Sequence, residues 1–256
     1  MKRSASATLH RTGRRALTWR PKVAGVEPVN IRGLISPLRY DVVVRADFFR
    51  FLEECLTSGI HRPEDMASAA RSHPYFVWFD RVAMERFRPW VLADEDMLHQ
   101  QFAERVHSSM NLWASFRQNG FDLRHPVTLR SASGARTADS GAVVDRRLHV
   151  GDGGHRLALL LASGAEALGP GMYRVDPRPL KGLIDNTAVL LPAIPLTINE
   201  YVRFIADGYV GAEADASVET SGVEGLLDHV RQHRPGMLGE LERLLDVHRV
   251  LSAPSA

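Results

Sequence analysis

The stretch Leu148-His-Val-Gly-Asp-Gly-Gly-His-Arg-Leu-Ala-Leu-Leu-Leu-Ala-Ser-Gly164 changes its period in the middle. Arg147 to Val150 reads as a strand, the glycines as a turn, and His155 onward as a helix that is almost wholly apolar and stops at Gly164. A strand that runs through glycines into a helix presents unpaired backbone N–H groups and the positive end of the helix dipole, where an anion docks. Glycine lets the anion approach without a Cβ, Arg156 adds a two-pronged donor, and His155 adds a group that titrates near neutrality. Asp152 is the odd member. A carboxylate beside a bound phosphate is repelled unless Mg²⁺ lies between them, or unless it orients a partner or acts as a base. The turn matches neither the phosphate loop with its Gly-Lys-Ser/Thr nor the dinucleotide pattern Gly-x-Gly-x-x-Gly, and a capped structural turn stays open beside the phosphate reading.

Working outward, Pro126-Val-Thr-Leu-Arg130 is strand-like, and with Arg147 to Val150 it predicts a hairpin whose long polar loop is Ser131 to Arg146. Met172 to Val175 predicts another strand. Upstream, Asp94 caps a helix with Glu95 and Asp96 in its first turn, which continues through Phe102, Val106, Met110, Trp113 and Phe116 to Gly120. Ile31 to Ile35 and Tyr40 to Val44 read as extended, parted by Ser36-Pro37, with Arg39, Asp41 and Arg45 on one strand face. Apolar spacing predicts a helix from Asp47 to Gly59, with Cys55 as a small core residue on its stripe. Pro63 to Arg71 and Pro74 to Arg88 read as two short helices. The aromatics Tyr75, Phe76, Trp78, Phe79, Phe87 and Trp90 lie at helical spacing with Asp80 and Glu85 among them, which favours core over a nucleic-acid stacking platform. Downstream, Thr197 caps a helix over Asn199 to Ala206, Gly208 to Gly222 reads as a linker, and helices follow at Val223 to Gln232 and Met237 to Leu251.

The 256 residues are 45% hydrophobic and 24% charged, enough apolar material for a real core, and no run of 18 apolar residues offers a membrane span. Cys55 is the single cysteine, which excludes an internal disulfide or a cysteine-rich metal cage and fits a reducing cytoplasm. Lys2, Arg3, Arg11, Arg14, Arg15, Arg20 and Lys22 meet no acid before residue 23, so residues 1–25 read as a basic tail without the apolar core of a secretory signal. The net charge of +2 then leaves the rest of the chain at about −5. Such a tail could touch nucleic acid, although a solvated tail is the plainer reading. His229 and His233 stand one helical turn apart with no third ligand beside them, and no Gly-x-Ser-x-Gly elbow is present.

The order Leu112-Trp-Ala-Ser-Phe-Arg-Gln-Asn-Gly120, Pro126-Val-Thr-Leu-Arg130, Leu148-His-Val-Gly-Asp-Gly-Gly-His-Arg-Leu-Ala158, Gly164 and Tyr173-Arg-Val175 resembles the core of the ParB/sulfiredoxin superfamily over roughly residues 97 to 180, with Ile31 to Arg45 as its opening strand. The resemblance implies an α+β fold. Residues 26–180 would form a mixed-sheet core carrying a helical insertion at about 47–96, and 181–256 a C-terminal helical extension. Sulfiredoxins place a nucleophilic cysteine where this chain has Gly154, and the DNA-partitioning members carry Gly-Glu-Arg-Arg. The free-serine kinases carry Asp-Gly-His-His-Arg, matched here at Asp152, Gly153, His155 and Arg156 and missed at Gly154.

That likeness implies Gly151, Gly153, Gly154, His155, Arg156 and Arg130 around the phosphates of ATP or another nucleoside di- or triphosphate. Asp152 would stand near the transferring group or its Mg²⁺, with a small hydroxylated metabolite as acceptor. Asp41 is the candidate base, joining Asp152 and His155 as catalytic residues, and Pro74 to Trp90 is the candidate wall of the acceptor pocket. A non-catalytic, nucleotide-responsive or DNA-associated protein is the alternative.

Overall fold

The glycine turn does join a strand to a helix, inside an α+β fold with a mixed sheet. The computed structural model describes residues 23–132, 135–137, 143–144, 147–178, 180, 182–210 and 222–248. The expected basic tail up to residue 22, parts of the 131–146 loop, most of the expected linker (211–221) and the end of the last expected helix (249–251) lie outside the described residues.

Strands β1 (Val23–Ala24) and β2 (Val29–Asn30) precede helices α1 (Ile31–Ile35) and α2 (Tyr40–Thr57). Helix α3 (Pro63–Ala69) follows, and then α4 (Pro74–Trp78) runs through a π-helical turn, Phe79–Met84, into α5 (Glu85–Phe87). The long α6 (Glu95–Asn119) begins where Asp94 accepts a hydrogen bond from the Met97 amide. Next come β3 (Val127–Ser131), β4 (Ala135–Thr137), β5 (Val143–Val144) and β6 (Leu148–Asp152), and then α7 (Gly154–Ala162). Strands β7 (Ala167–Leu168), β8 (Tyr173–Asp176) and β9 (Gly182–Leu183) lead to α8 (Asn186–Leu190) and α9 (Ile198–Tyr209). The last helices are α10 (Gly222–His233) and α11 (Leu238–Val247).

The principal sheet has the order β1-β8-β3-β6, with β3 antiparallel to β6 and parallel to β8. The expected hairpin is therefore present, and β4 and β5 occupy part of its loop. Between Thr128↔Asp152 and Leu129↔Val150 the register shifts, leaving Gly151 as a bulge at the end of β6, just before the turn.

One expectation fails outright: Ile31 to Ile35 and Tyr40 to Val44 are helical, not extended. The residues of the tail's last positions, Val23–Ala24, take the edge of the sheet beside β8 instead. Three consecutive valines lower helix propensity by only a few tenths of a kcal/mol each. Packing overrides this, because Val42, Val44, Ala46, Phe48, Phe49 and Leu52 are buried, and α2 lies along α7, whose Leu157 to Leu161 are buried too. Cys55 is buried as expected. Of the aromatic segment, Tyr75, Trp78 and Phe79 are core, whereas Phe87 and Trp90 are each 63% exposed and correct that reading.

The C-terminal helices are joined to this core by buried polar groups. Glu240 accepts hydrogen bonds from Arg147 at 2.6 Å and from the Tyr209 hydroxyl at 2.7 Å, and the Arg147 guanidinium lies over the Tyr209 ring. Glu240→Ala leaves the buried Arg147 charge uncompensated, and an expected loss of about 3 kcal/mol follows. Urea unfolding measures it, and a loss below about 1 kcal/mol contradicts the pairing.

Candidate functional site

Helix α7 starts at Gly153, whose φ of +95° is the left-handed conformation that glycine tolerates. Asp152 folds back so that its Oδ1 accepts from the Gly153 amide at 2.7 Å, and its Oδ2 accepts from Arg156 at 3.3 Å. The Arg156 guanidinium also donates to the carbonyls of His125 and Pro126, which ties α7 to the start of β3. Arg130 donates to Asp176 at 3.0 Å and lies against the bulged Gly151, where a Cβ would stand 3.2 Å from its stem. The two arginines expected to grip phosphate are thus engaged with protein oxygens.

Behind the turn the structure brings together residues far apart in sequence. Asp41 is wholly buried at the start of α2. Its Oδ1 accepts from Arg39 Nε at 2.7 Å and Asn186 Nδ2 at 3.0 Å, and its Oδ2 accepts from Arg39 Nη2 at 3.0 Å and Arg45 Nη2 at 2.6 Å. Burial by itself would raise this carboxyl's pKa, but the two guanidinium groups and the hydrogen bonds from Arg39 and Asn186 hold it well below the usual range. Asp41 is therefore a permanent counter-ion rather than a base on an exposed strand face, and the candidacy made for it from the sequence is corrected on that ground.

Arg39 also donates to the Val150 carbonyl at 3.2 Å, and Arg45 lies 4.1 Å over the Trp78 ring. These two guanidinium groups explain Gly154: a Cβ there would stand 2.8 Å from Arg45 Nη1 and 3.0 Å from Arg39 Nη2.

His155 sits between Arg45 and Tyr75. An arginine only donates, so His155 Nδ1 accepts from Arg45 at 3.4 Å, and the proton belongs on Nε2, which faces the Tyr75 hydroxyl at 3.2 Å. Burial, reinforced by Arg45 and Arg105, pushes its pKa well below the ordinary imidazole value and keeps it neutral. His149, on β6, is pushed down to about 3 by burial and then by Arg39 and Arg147, against the opposing pull of Asp41.

A cavity of about 550 Å³ opens on this cluster. Arg39, Arg45, Arg88 and Arg105 give it a cationic side, His149, His155 and Asn186 add neutral polar groups, and no carboxylate among the described residues lines it. Arg88 is bonded to Gln101, whereas the Arg105 side chain has no partner among the described residues. The opposite wall is apolar: the π-helical turn supplies Val82, Ala83 and Met84, joined by Phe87 and by Leu183 from β9. The segment Pro74 to Trp90 thus does wall a cavity.

A second cavity, of about 430 Å³, lies on the other side of the turn, between Phe116 and Phe121 and the residues Asp152, Gly153, Gly154 and Arg156. His155 borders both. Gly154 and Arg156, at the first turn of α7 where backbone amides have no acceptor within the helix, line this second cavity and not the first.

Sequence reasoning located the turn and missed the arginine cavity. Arg39, Arg45, Arg88 and Arg105 are scattered over more than sixty positions in an arginine-rich chain, and the one local signal, Asp41 with Arg45 four residues on, was read with strand rather than helix periodicity. His229 and His233 come together as a ring pair on α10, and among the described residues no three His, Cys, Asp or Glu side chains converge to hold a metal ion.

Two neutral buried histidines make stability depend on pH. Between about pH 6.5 and 4 the unfolded chain binds more protons at His149 and His155 than the folded one, so stability falls as pH falls through that window. Below about pH 4 Asp41 adds to the loss. His149→Gln is expected to flatten the slope between pH 6.5 and 4 in urea titrations, and an unchanged slope refutes the assignment. No protein-family model, curated protein or solved structure matches this chain, so the chemistry of the site itself carries the functional argument.

Proposed function

We propose that the protein binds a phosphorylated ligand of the nucleotide class in the arginine cavity, and that it transfers a phosphoryl group to a hydroxyl of a small metabolite. The observation that carries the reading is the charge of the cavity. Among the described residues, four guanidinium groups stand against one carboxylate, Asp41, which lies beneath the surface, and the Arg105 side chain has no hydrogen-bond or ion-pair partner. Such a cluster is stable with an anion bound, and bidentate guanidinium groups suit phosphate oxygens. Low dielectric around Arg45 and His155 strengthens each contact. The apolar wall from Val82 to Phe87 gives a nucleoside or acceptor body a surface to cover.

The resemblance of the strand, glycine turn and His-Arg helix order to the ParB/sulfiredoxin superfamily supports nucleotides as the class, with the arginine cavity in place of the turn's own Arg156 and Arg130 as the phosphate-binding side. The second cavity supports transfer over simple binding, because two ligands can lie on either side of His155. Neutralisation of phosphoryl charge falls to the arginines, which act by position and electrostatics alone.

Magnesium fits this site poorly. Among the described residues no carboxylate lines the arginine cavity, and both oxygens of Asp152 already accept from Gly153 and Arg156. No step is therefore routed through a metal ion. If phosphoryl transfer does not occur, a nucleotide-responsive regulatory protein is the form this reading takes, and turnover with an acceptor separates the two.

Equilibrium binding of ATP, ADP, CTP and GTP, each with Mg²⁺ and with a chelator, tests the proposal. Binding is expected to survive the chelator. Arg105→Ala removes a charged donor worth about 1.5–3 kcal/mol, so affinity is expected to fall roughly tenfold to a hundredfold. Gly154→Ala is expected to weaken binding at least tenfold by displacing Arg39 and Arg45, while circular dichroism stays that of the native chain. A folded protein that binds none of the four nucleotides, or binds them equally well after Arg105→Ala, overturns the proposal.

A further inference from the structure

Of the titratable side chains around the arginine cavity, His149 is buried and, among the described residues, without a hydrogen bond. It is 6% exposed, lines the cavity from β6, and makes no hydrogen bond among the described residues, whereas His155 is held at both ring nitrogens. The groups facing His149 come from every side. From the start of α2 come Arg39 and its partner Asp41. On its own strand, two residues back, Arg147 is paired with Glu240 from α11. Directly across the hairpin, in register with His149, Arg130 is paired with Asp176 from β8.

Asp41 is shared between Arg39 and Arg45 and Glu240 is taken by Arg147, so burial first, and Arg39 and Arg147 after it, keep the His149 ring neutral. Resting on the reading of the cavity above, we propose that His149 contacts the bound anion directly and takes up one proton as the anion enters, becoming the ligand's hydrogen-bond donor at the β6 side of the cavity. The balance is simple: one proton leaves solvent, one N–H bond forms on the imidazole, and the anion loses none of its own charge.

Burial excludes the proton first and the neighbouring arginines second; the incoming anion neutralises the arginines and gives the protonated ring a charged partner in place of the hydration that burial removes. An opposite charge within about 4–6 Å favours the charged form of an ionisable group, and a buried site screens that attraction little. His155 cannot serve instead, because protonating its Nδ1 would set a second cation against Arg45. In a transfer reaction the protonated His149 is then placed to donate to an oxygen that becomes more basic as its bond to phosphorus breaks. The ligand class follows: anions that bring at least two negative charges are favoured, and singly charged ones lack the field to recruit the proton.

Inorganic pyrophosphate is a suitable probe because it has charge and no nucleoside. Calorimetric titrations near pH 6 in buffers of different ionisation enthalpy report the protons taken up, and imidazole nitrogen resonances of the unaltered full chain report the state of His149 without any substitution. The expected result is uptake of close to one proton, a His149 signal that moves from neutral to protonated on binding, and loss of the uptake in His149→Gln. Binding without buffer dependence and with a neutral His149 overturns this inference and leaves the cavity reading standing. Uptake that persists undiminished in His149→Gln, with His149 neutral in the unaltered chain, also overturns it. Failure of pyrophosphate and all four nucleotides to bind removes the cavity reading itself, and this inference falls with it.

Discussion

A single carboxylate, wholly buried at the first turn of a helix, sets the geometry of the site. Asp41 alone in that position would cost several kcal/mol of desolvation, which its contacts with Arg39, Arg45 and Asn186 offset. Each partner brings an element with it. Arg39 reaches the last strand before the turn through the Val150 carbonyl, Arg45 reaches Trp78 and the first helical residues of α7, and Asn186 fixes the start of α8. Two cations on one anion leave an excess of positive charge, and the cavity opens where that excess faces outward.

The same arrangement gives the glycine turn a meaning different from a phosphate nest. Gly153 is favoured by its backbone conformation, whereas Gly154 leaves room for two guanidinium tips that a Cβ there would have to displace. A histidine at position 154, as in the superfamily motif the turn resembles, would collide with Arg39 and Arg45. The departure from that motif and the presence of the arginine pair are therefore one fact. Asp152 and Arg156, which looked like ligand-binding groups, close the turn on itself and anchor it to the carbonyls before β3.

Local signals with one reading were legible in the sequence. Asp94 before α6, the glycine turn before α7, and Thr197 with Glu200 at the start of α9 each combine a cap with an apolar period. Residues 39–45 carried two readings at once. Positions 41 and 45 share a face in a strand and also in a helix, and Val42-Val43-Val44 favours the strand locally. Burial against α7 decided it, and burial against a distant element is not written in a seven-residue window. The arginine cavity was illegible for the same reason, since its charge is assembled from α2, from the segment after the π-helical turn and from α6.

The C-terminal helices belong to the site's support rather than to a separate appendage. Asp185 caps α8 through the Ala188 amide, and its second oxygen meets His248 at 3.0 Å, while the other ring nitrogen of His248 meets the Tyr201 hydroxyl at 2.8 Å. All three side chains are buried. This chain of contacts ties the residue after α11 to the first turn of α8, one position from Asn186, and Asn186 in turn orients Asp41. A buried polar network of this kind has two consequences: it is costly when incomplete, and it restricts the helices it links to one register. Asn186 is the one neutral side-chain donor on Asp41 among the described residues, and it links the orientation of that carboxylate to the start of α8. The geometry of the Asp41 cluster is thus supported through α8 by the helices at the C-terminal end.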